Sequence, residues 1–180
     1  WAVGYQGTIL KTSNSGKKWM SQNSGTLNKL NSVFFSDSNH GWAVGDYGTM
    51  LKTTDGGDIW ITQNCGTKDW LKSVYFIDSI TGWVVGESKI LKTTDGGINW
   101  TNQNIEMDYW DWWDLESVYF IDSNTGWAVG VSKILKTTDG GNNWISLSRG
   151  TQEWLKSVYF IDSNTGWVVG YDGIILKTTD

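Results

Sequence analysis

Residues 126–144 read Gly-Trp-Ala-Val-Gly-Val-Ser-Lys-Ile-Leu-Lys-Thr-Thr-Asp-Gly-Gly-Asn-Asn-Trp, and both ends of this stretch recur along the chain. The first end, Gly-Trp-(Ala/Val)-Val-Gly, occurs with Trp42, Trp83, Trp127 and Trp167, and Trp1 opens the chain inside a fifth copy. Successive tryptophans are 41, 41, 44 and 40 residues apart. A period near 40 residues with short strand-like segments is typical of a β-propeller or another repeat array.

Each repeat contains four strand-like segments, A to D, bounded by turn signals. Strand A is predicted at 71–78, and in the following repeat strand B is predicted at 127–130, strand C at 134–138 and strand D from Trp144 onward. The small and apolar residues of strand B suit a strand that is buried on both faces. The first unit lacks strand A and the last lacks strand D, which gives 18 predicted strands.

The sequence therefore predicts an all-β protein, a β-propeller of four-stranded antiparallel blades. The chain includes five repeat units, of which three are complete and two are partial. The units cover approximately 1–26, 27–66, 67–105, 106–150 and 151–180. We interpret 1–180 as a single β-propeller or a propeller fragment, because the chain opens inside one repeat and closes inside another. We expect either an arc of a larger ring or a five-blade ring whose terminal blades are short by one strand.

The other end of the opening stretch is a turn motif, Thr-x-Asp-x-Gly-x-x-Trp, which we call the C–D turn. It is intact at 53–60, 93–100 and 137–144, carries Asn14 in place of aspartate at 12–19, and begins again at 178–180. The Thr and Asp side chains can hydrogen-bond to the turn backbone, and the glycine can adopt a positive φ. We expect a structural role for nine of its residues: Asp55, Gly57, Trp60, Asp95, Gly97, Trp100, Asp139, Gly141 and Trp144.

Composition limits the classes of function. A net charge of −5, with Arg149 as the one arginine, argues against nucleic acid and anionic membrane surfaces as partners. No apolar run is long enough to cross a bilayer, so no direct membrane insertion is expected. Cys65, predicted in strand D, is the one cysteine, which excludes a disulfide framework within the chain and a multi-cysteine zinc site. We predict no metal site and no cofactor.

The combined pattern Gly-Trp-Ala-Val-Gly followed by Ile-Leu-Lys-Thr-Thr-Asp-Gly-Gly-x-x-Trp resembles the Asp-box, or bacterial neuraminidase repeat (BNR), propellers. Within that group it is most similar to the propellers of the photosystem II assembly and stability factors, over essentially the whole chain. The resemblance implies that the C–D turns lie opposite the ligand face. It does not fix the function, because the group includes sialidases, xyloglucanases, sorting receptors and assembly factors.

Catalysis can be tested against the residues that each chemistry needs. A sialidase-type site needs three arginines to hold a carboxylate, so Arg149 alone excludes a complete site of this kind. Glycoside hydrolysis by two opposed carboxylates stays open, because the connecting segments contain acids such as Asp69 and Glu153. The enzymes of that type resemble much longer tandem propellers. We therefore assign no catalytic residue and predict that the protein is not an enzyme.

The connections from strand D to strand A differ between repeats. The third is four residues longer and ends in Asp108-Tyr-Trp-Asp-Trp-Trp-Asp114. In the propeller fold these connections lie on one face together with the B–C turns. Exposed aromatic rings next to acids are typical of a protein interface or a carbohydrate platform. Packing against the next blade stays an alternative for Trp70 and Trp154, and so does inward packing of 108–114 as hydrophobic core. The predicted partner-binding residues are Trp110, Trp112, Trp113, Tyr109, Asp111, Trp70 and Trp154.

We therefore expect a non-enzymatic interaction or scaffold module that binds a protein partner through this face. Two alternatives stay open: a carbohydrate-binding or glycoside-acting propeller, and a photosystem II assembly factor-like protein. The resemblance implies an arginine-rich patch in the assembly factors, which one arginine cannot form. It also suggests a bacterial protein in an extracytoplasmic location: secreted, periplasmic or on the cell surface.

Overall fold

The described part of the chain is built from short antiparallel strands. A computed structural model describes residues 1–103, 105, 114–131, 133–148 and 150–179, and in it 18 strands form five separate sheets. The helical segments of these residues are three-residue 3-10 turns at Tyr5–Gly7, Asp46–Gly48 and Tyr171–Gly173. None of the described helices has the length and apolar content needed to cross a membrane. The all-β prediction is confirmed.

The three central sheets, blades 2 to 4, each have four strands paired in sequence order. Blade 2 consists of β4 (Leu30–Phe35), β5 (Gly41–Gly45), β6 (Met50–Thr53) and β7 (Ile61–Thr62). Blade 3 consists of β8 (Leu71–Phe76), β9 (Gly82–Gly86), β10 (Lys89–Thr93) and β11 (Thr101–Asn102). Blade 4 consists of β12 (Leu115–Phe120), β13 (Gly126–Gly130), β14 (Lys133–Thr137) and β15 (Ile145–Ser146).

The two outer sheets have three strands each. Blade 1 consists of β1 (Ala2–Val3), β2 (Ile9–Lys11) and β3 (Met20–Gln22), and blade 5 of β16 (Leu155–Phe160), β17 (Thr165–Gly170) and β18 (Ile175–Thr179). Among the described strands, no pairing joins blade 1 to blade 5. Val169 and Ile175 on blade 5 are exposed. Strands of neighbouring blades lie against each other from blade 1 through to blade 5, whereas the described strands of blades 5 and 1 show no comparable contact, so the described blades form an arc.

Several predicted strand boundaries are wrong by one or two residues. Strand A of blade 3 ends at Phe76 rather than at 78, because Ile77 N donates to Thr81 O at 3.1 Å and opens the A–B turn. Strand D of blade 4 begins at Ile145, after Trp144. Strand D is only two residues long in blades 2 to 4, so Cys65 lies beyond it, where its buried Sγ donates to Gly48 O at 3.3 Å.

Neighbouring blades are joined by three aromatic rings, an arrangement that we call the interlock. The strand-B tryptophan of one blade stacks on a strand-A phenylalanine of the next, and the C–D turn tryptophan of that next blade meets the phenylalanine edge-on. Between blades 2 and 3, Trp42 lies 3.5 Å from Phe76 and Trp100 lies 6.0 Å from Phe76, measured between ring centroids. The same two contacts recur between blades 3 and 4 with Trp83, Phe120 and Trp144. The edge-on contact is a geometry that aromatic quadrupoles favour, and the rings also bury a large apolar area between the blades.

The C–D turns position the third ring of the interlock, which is the tryptophan at the end of each turn. In blade 3, Thr93 Oγ1 accepts a hydrogen bond from Gly97 N at 2.9 Å and donates to Asp95 Oδ1 at 2.8 Å. Asp95 Oδ1 also accepts from Asn99 N at 2.9 Å, so the two side chains replace missing backbone partners inside the turn. The turns of blades 2 and 4 repeat these bonds. Trp60 and Trp144 are buried, and Trp100 is partly buried.

The inner edge of the arc is formed by the A strands, which lie side by side. Ser32 Oγ accepts a hydrogen bond from Val74 N of the next blade at 3.3 Å, and Ser73 and Ser117 repeat this contact with Val118 and Val158. A row of rings runs along the same strands, with neighbouring centroids 4.9–5.1 Å apart: Phe34, Tyr75, Tyr119 and Tyr159. Burial and the neighbouring Tyr119 raise the pKa of Tyr75 to about 12.

Candidate binding face

The B–C turns and the ends of the D–A connections lie together at one end of the blades, which we call the loop face. The residue before strand A accepts a backbone hydrogen bond from the B–C turn of its own blade, at 2.8–3.0 Å. The four acceptors of these bonds are the carbonyls of Lys29, Trp70, Asp114 and Trp154. The C–D turns bond instead to the A–B turns, as Gly56 N does to Asn39 O at 2.9 Å, and so mark the opposite end.

Five of the predicted partner-binding residues lie outside the described residues: Tyr109, Trp110, Asp111, Trp112 and Trp113. The described residues on either side of them have defined positions. Ile105 packs against the core between blades 3 and 4. Asp114 lies on the loop face, where it forms an antiparallel bridge with Glu87 of blade 3. The long connection therefore ends on the face where its partner contact was predicted.

Trp70 is the centre of a first cluster on the loop face. Its side chain is 39% exposed and meets the ring of Tyr47 edge-on, with centroids 6.3 Å apart. Lys72 Nζ lies 4.8 Å from the centroid of the Trp70 ring, within cation–π range. Trp70 N donates to Glu87 Oε2 at 3.3 Å, which ties the backbone of the cluster to the B–C turn of blade 3.

Trp154 is the centre of a second, similar cluster on blade 5. It is 50% exposed and lies 5.7 Å from the ring of Tyr171, again edge-on. Lys156 Nζ lies 5.9 Å from the Trp154 centroid and 4.8 Å from that of Tyr171. The same ammonium forms a 2.7 Å ion pair with Glu116 of blade 4. The loop face thus presents the same three residue types, Trp, Tyr and Lys, at two separate places.

The lysines of both clusters owe their position to a β-bulge. In blade 3, Leu71 pairs with Gly86 and Ser73 pairs with Val85, so Lys72 is the extra residue with no partner on strand B. A bulge of this kind interrupts the alternation of side chains along a strand and redirects one of them. The same register shift occurs in blade 5 around Lys156. Sequence reasoning missed both lysines; the signal for them is the Trp-Leu-Lys-Ser sequence shared by these two blades.

Acidic groups occupy the loop face between the two clusters. Blade 4 has Asp114 and Glu116 at the positions that Trp70 and Lys72 occupy in blade 3. Burial, and next the nearby Glu87 carboxylate, raises the pKa of Asp114. Burial acts to lower the pKa of Lys156, but the hydrogen bond and charge of Glu116 outweigh it, and the pKa is raised. The face therefore alternates between aromatic–cationic and acidic patches from blade 3 to blade 5.

This arrangement suits recognition of an extended chain. Each cluster offers an apolar ring together with an ammonium group, which can hold an apolar or aromatic side chain next to an acid or a carbonyl oxygen. The tryptophans and lysines of the two clusters are on blades 3 and 5, so a ligand that reaches both must span blade 4. Exposed tryptophans and tyrosines are the residue types that most often anchor protein partners.

Comparisons with known proteins identify the family and the fold. The family model described as "Photosynthesis system II assembly factor YCF48" matches residues 13–105 and 60–153. A solved structure titled "YCF48 from Cyanidioschyzon merolae" superposes with a TM-score of 0.74 at 20% identity, covering 98% of this chain and 64% of that one. Another, titled "YCF48 bound to D1 peptide", gives 0.59 at 23% identity, covering 83% and 63%. The chain thus spans less than two thirds of the length of these relatives.

Other comparisons extend no further than the fold. A structure titled as an ancestral GH74 enzyme has a TM-score of 0.73 at 17% identity, covering 94% of this chain and 28% of that one. No curated protein sequence matches the chain. The family match covers well over half of the chain, and it confirms the resemblance drawn from the repeats. The chain belongs to the photosynthesis system II assembly factor YCF48 family and is a BNR-type β-propeller.

Proposed function

We propose that this chain is a non-enzymatic propeller module that binds an extended segment of a partner protein across its loop face. The observation that carries the proposal is the pair of exposed Trp–Tyr–Lys clusters around Trp70 and Trp154. Membership of the YCF48 family supports it, because one structure similar to this chain is titled as YCF48 bound to a D1 peptide. On this proposal the long connection 104–114 adds its tryptophans to the same contact.

A role in photosystem II assembly is the more specific form of the proposal. The family match supports it, and a D1 peptide is the partner to test first. The arginine-rich patch implied by the resemblance is absent from the sequence, which has Arg149 alone. Lys72 and Lys156 would supply the positive charge at the clusters. If a D1 peptide does not bind but another peptide does, the peptide-binding role stands and the role in photosystem II assembly is rejected.

Carbohydrate binding is the weaker alternative. Sugars stack on the open face of an aromatic ring, but Lys72 lies over the Trp70 ring and Lys156 lies near the rings of both Trp154 and Tyr171. A covered ring face next to an ammonium group suits an anionic or aromatic peptide side chain better. A glycan array that gives specific, saturable binding would reverse this preference. We propose a non-enzymatic role: one arginine cannot form the three-arginine clamp of a sialidase-type site, while glycoside hydrolysis by two opposed carboxylates stays an open alternative.

We propose an extracytoplasmic location, which rests on the resemblance of the repeats alone. Fractionation of cells that contain the native protein tests it: recovery with cytoplasmic markers contradicts it.

The binding experiment uses a fluorescent D1 peptide and the 180-residue chain. Trp70→Ala together with Trp154→Ala should weaken binding about tenfold or more, as expected when interface anchors are removed. The control is Trp19→Ala, because Trp19 is 43% exposed and belongs to the C–D turn of blade 1, at the opposite end of the blade. Equal affinity of the double variant and the control, with both folded, would contradict binding through the loop face.

A further inference from the structure

The bulge that redirects Lys72 and Lys156 is present in every described strand A. In blades 2 to 5 the register with strand B shifts between the first and the third residue of strand A. The extra residues of these bulges, which we call the bulge row, are Asn31, Lys72, Glu116 and Lys156. The four side chains therefore occupy the same repeat position, at the loop-face end of each strand.

The side chains of the bulge row differ in charge from blade to blade. Asn31 is neutral, and its Nδ2 donates both to Asp46 Oδ1 at 2.8 Å and to Leu71 O at 2.9 Å. Its two N–H groups are therefore used inside the protein. The next three blades present in turn an ammonium, a carboxylate and an ammonium group. The row is thus positive, negative and positive from blade 3 to blade 5.

Asp114 adds a second carboxylate to the negative part of the row. Burial, and next the Glu87 carboxylate, raise the pKa of Asp114, while the charges of Lys72 and Lys156 act to lower it. Both lysines are therefore close enough to act on one carboxylate of blade 4. Glu116 forms its 2.7 Å ion pair with Lys156, and its side chain stays 18% exposed. Blade 4 thus has two acids on the loop face, with a lysine of the row on each side.

The spacing of the A strands matches the spacing of side chains along an extended chain. Neighbouring A strands approach within 8 Å between Cα atoms, and the rings that they carry are 4.9–5.1 Å apart. In an extended chain the residues i, i+2 and i+4 lie on one face, and successive members of this series are about 6.4–6.8 Å apart. One blade therefore corresponds to two residues of an extended ligand that crosses the A strands.

We propose that the loop face recognises an extended segment of a partner protein that has an acidic residue at i, a basic residue at i+2 and an acidic residue at i+4. This inference rests on the proposed function and specifies its ligand. The first acid pairs with Lys72, and its methylene groups lie on the Trp70 ring. The basic residue binds Asp114 and Glu116. The second acid pairs with Lys156, while the residues at i+1 and i+3 lie on the other face of the ligand and are not selected.

The ion pair between Glu116 and Lys156 is compatible with this ligand. The basic residue of the ligand takes over Glu116, and the second acid of the ligand takes over Lys156. Every charge of the pair has a partner before and after binding. Exposed ion pairs contribute little individually, so an exchange of partners costs little. The charge order of the ligand, rather than the strength of one contact, therefore determines specificity.

The test uses fluorescent peptides of the form Gly-x-Ser-x-Ser-x-Gly, in which each x is Glu, Lys or Ser. Anisotropy is measured with the 180-residue chain at low ionic strength, where exposed charges are least screened. We expect the peptide with Glu, Lys and Glu in this order to bind most tightly. The matched control has the same composition in the order Glu, Glu, Lys, and should bind at least about fivefold more weakly. Equal binding of these two peptides overturns the inference.

A charge reversal in the chain locates the basic subsite. Glu116→Lys should weaken binding of the Glu-Lys-Glu peptide at least about fivefold and strengthen binding of the peptide with three glutamates. Asp58→Lys makes the same change of charge at a side chain that is 76% exposed in the C–D turn of blade 2, and should leave the order of affinities unchanged. If Glu116→Lys does not fold, Glu116→Gln should reduce the preference for Lys over Ser at the central position. A Glu116 variant that ranks the peptides as the Asp58 variant does overturns the inference.

A D1 peptide measured in parallel separates this inference from the proposed function. If the D1 peptide binds through Trp70 and Trp154 while the designed peptides show no dependence on charge order, the inference is overturned and the proposed function stands. If neither the D1 peptide nor any designed peptide binds, the proposed function fails and the inference fails with it.

Discussion

The indole ring of Trp83 stacks on the phenyl ring of Phe120 in the next blade, with their centroids 3.6 Å apart and their planes 13° from parallel. The first ring comes from strand B and the second from strand A, so the stack joins the middle of one sheet to the inner edge of another. Two other interfaces contain the same stack at 3.5 Å. The unit of stability in this chain is therefore the interface between blades, as expected for a repeat array.

Replacing Trp83 with alanine should destabilise the protein by about 3–5 kcal/mol, the range for removing a large aromatic side chain from a core. Trp83 is fully buried, and the space that it leaves would be walled by rigid strands from two blades. The control is Trp19→Ala, at a ring that is 43% exposed. Urea unfolding monitored by circular dichroism measures both changes. A Trp83 variant no less stable than the Trp19 variant would show that the stack contributes little.

Replacing Thr93 with valine should cost about 1–3 kcal/mol, because it keeps the shape of the side chain and removes a buried hydrogen-bonding group. Thr93 Oγ1 accepts from Gly97 N at 2.9 Å, and that amide would be left without its partner. Thr62→Val on the exposed strand β7 is the matched control and should change stability by less than about 0.5 kcal/mol. Chemical denaturation of the two variants side by side is the measurement.

Acid should destabilise the C–D turns. Hydrogen bonds from Asn99 N, the Asn99 side chain and Thr93 lower the pKa of Asp95 from 3.8 to about 2. Because the folded-state pKa is the lower one, the ionised carboxylate stabilises the fold above pH 3.8, and this contribution is lost as the pH falls toward 2. The pKa values of Asp55 and Asp139 are lowered in the same direction. Stability should therefore fall between about pH 4 and pH 2.

Asp95→Asn isolates the part of this acid response that comes from one turn. The first repeat already has Asn14 at this position, where its Oδ1 accepts from Lys18 N at 2.8 Å and so reproduces the aspartate bond. The variant should be less stable than the natural chain at pH 6, and the difference should shrink by pH 2. Urea midpoints measured across that range test it; a difference independent of pH would contradict the role of ionised Asp95.

Gly141→Ala should be more damaging than Gly66→Ala. Both glycines have a positive φ, of 86° and 76°, so each substitution imposes backbone strain of about 1–2 kcal/mol. A Cβ at Gly66 would meet open space, whereas one at Gly141 would lie 2.8 Å from Trp83 Nε1 in the interlock. Melting temperatures of the two variants separate the strain from the clash. A larger loss for the Gly66 variant would contradict the close packing of the turn against the ring.

The fold was predictable because the residues that define it recur at fixed spacing. Trp42 and Trp83 occupy equivalent positions, and the threonine and glycine of each C–D turn are the residue types that the turn geometry requires. The repeat period therefore revealed the number and order of the strands. Strand D was predicted less well, since only two of its residues pair with strand C in each complete blade, and so short a segment has no periodicity of its own.

The candidate site was predictable only in part. The B–C turns and D–A connections could be placed on one face from topology, and Trp70 and Trp154 do lie there, partly exposed. Lys72 and Lys156 could not be placed beside them, because each lies in a β-bulge. Strict alternation along a strand predicts the wrong face of the sheet for the side chain of a bulged residue. The five residues from Tyr109 to Trp113 stay a prediction, since they lie outside the described residues.

The interlock also determines where the repeat can change in length. Its three rings come from strand A, strand B and the C–D turn, so an added residue in any of these segments would rotate or displace a ring that two blades share. The D–A connection contributes no ring to it. The four-residue extension of 104–114 lies in that connection, and the tryptophans before and after it keep their stacking partners. New sequence can therefore accumulate on the loop face, at no cost to the contacts between blades, and partner preference can diverge there while the scaffold stays the same.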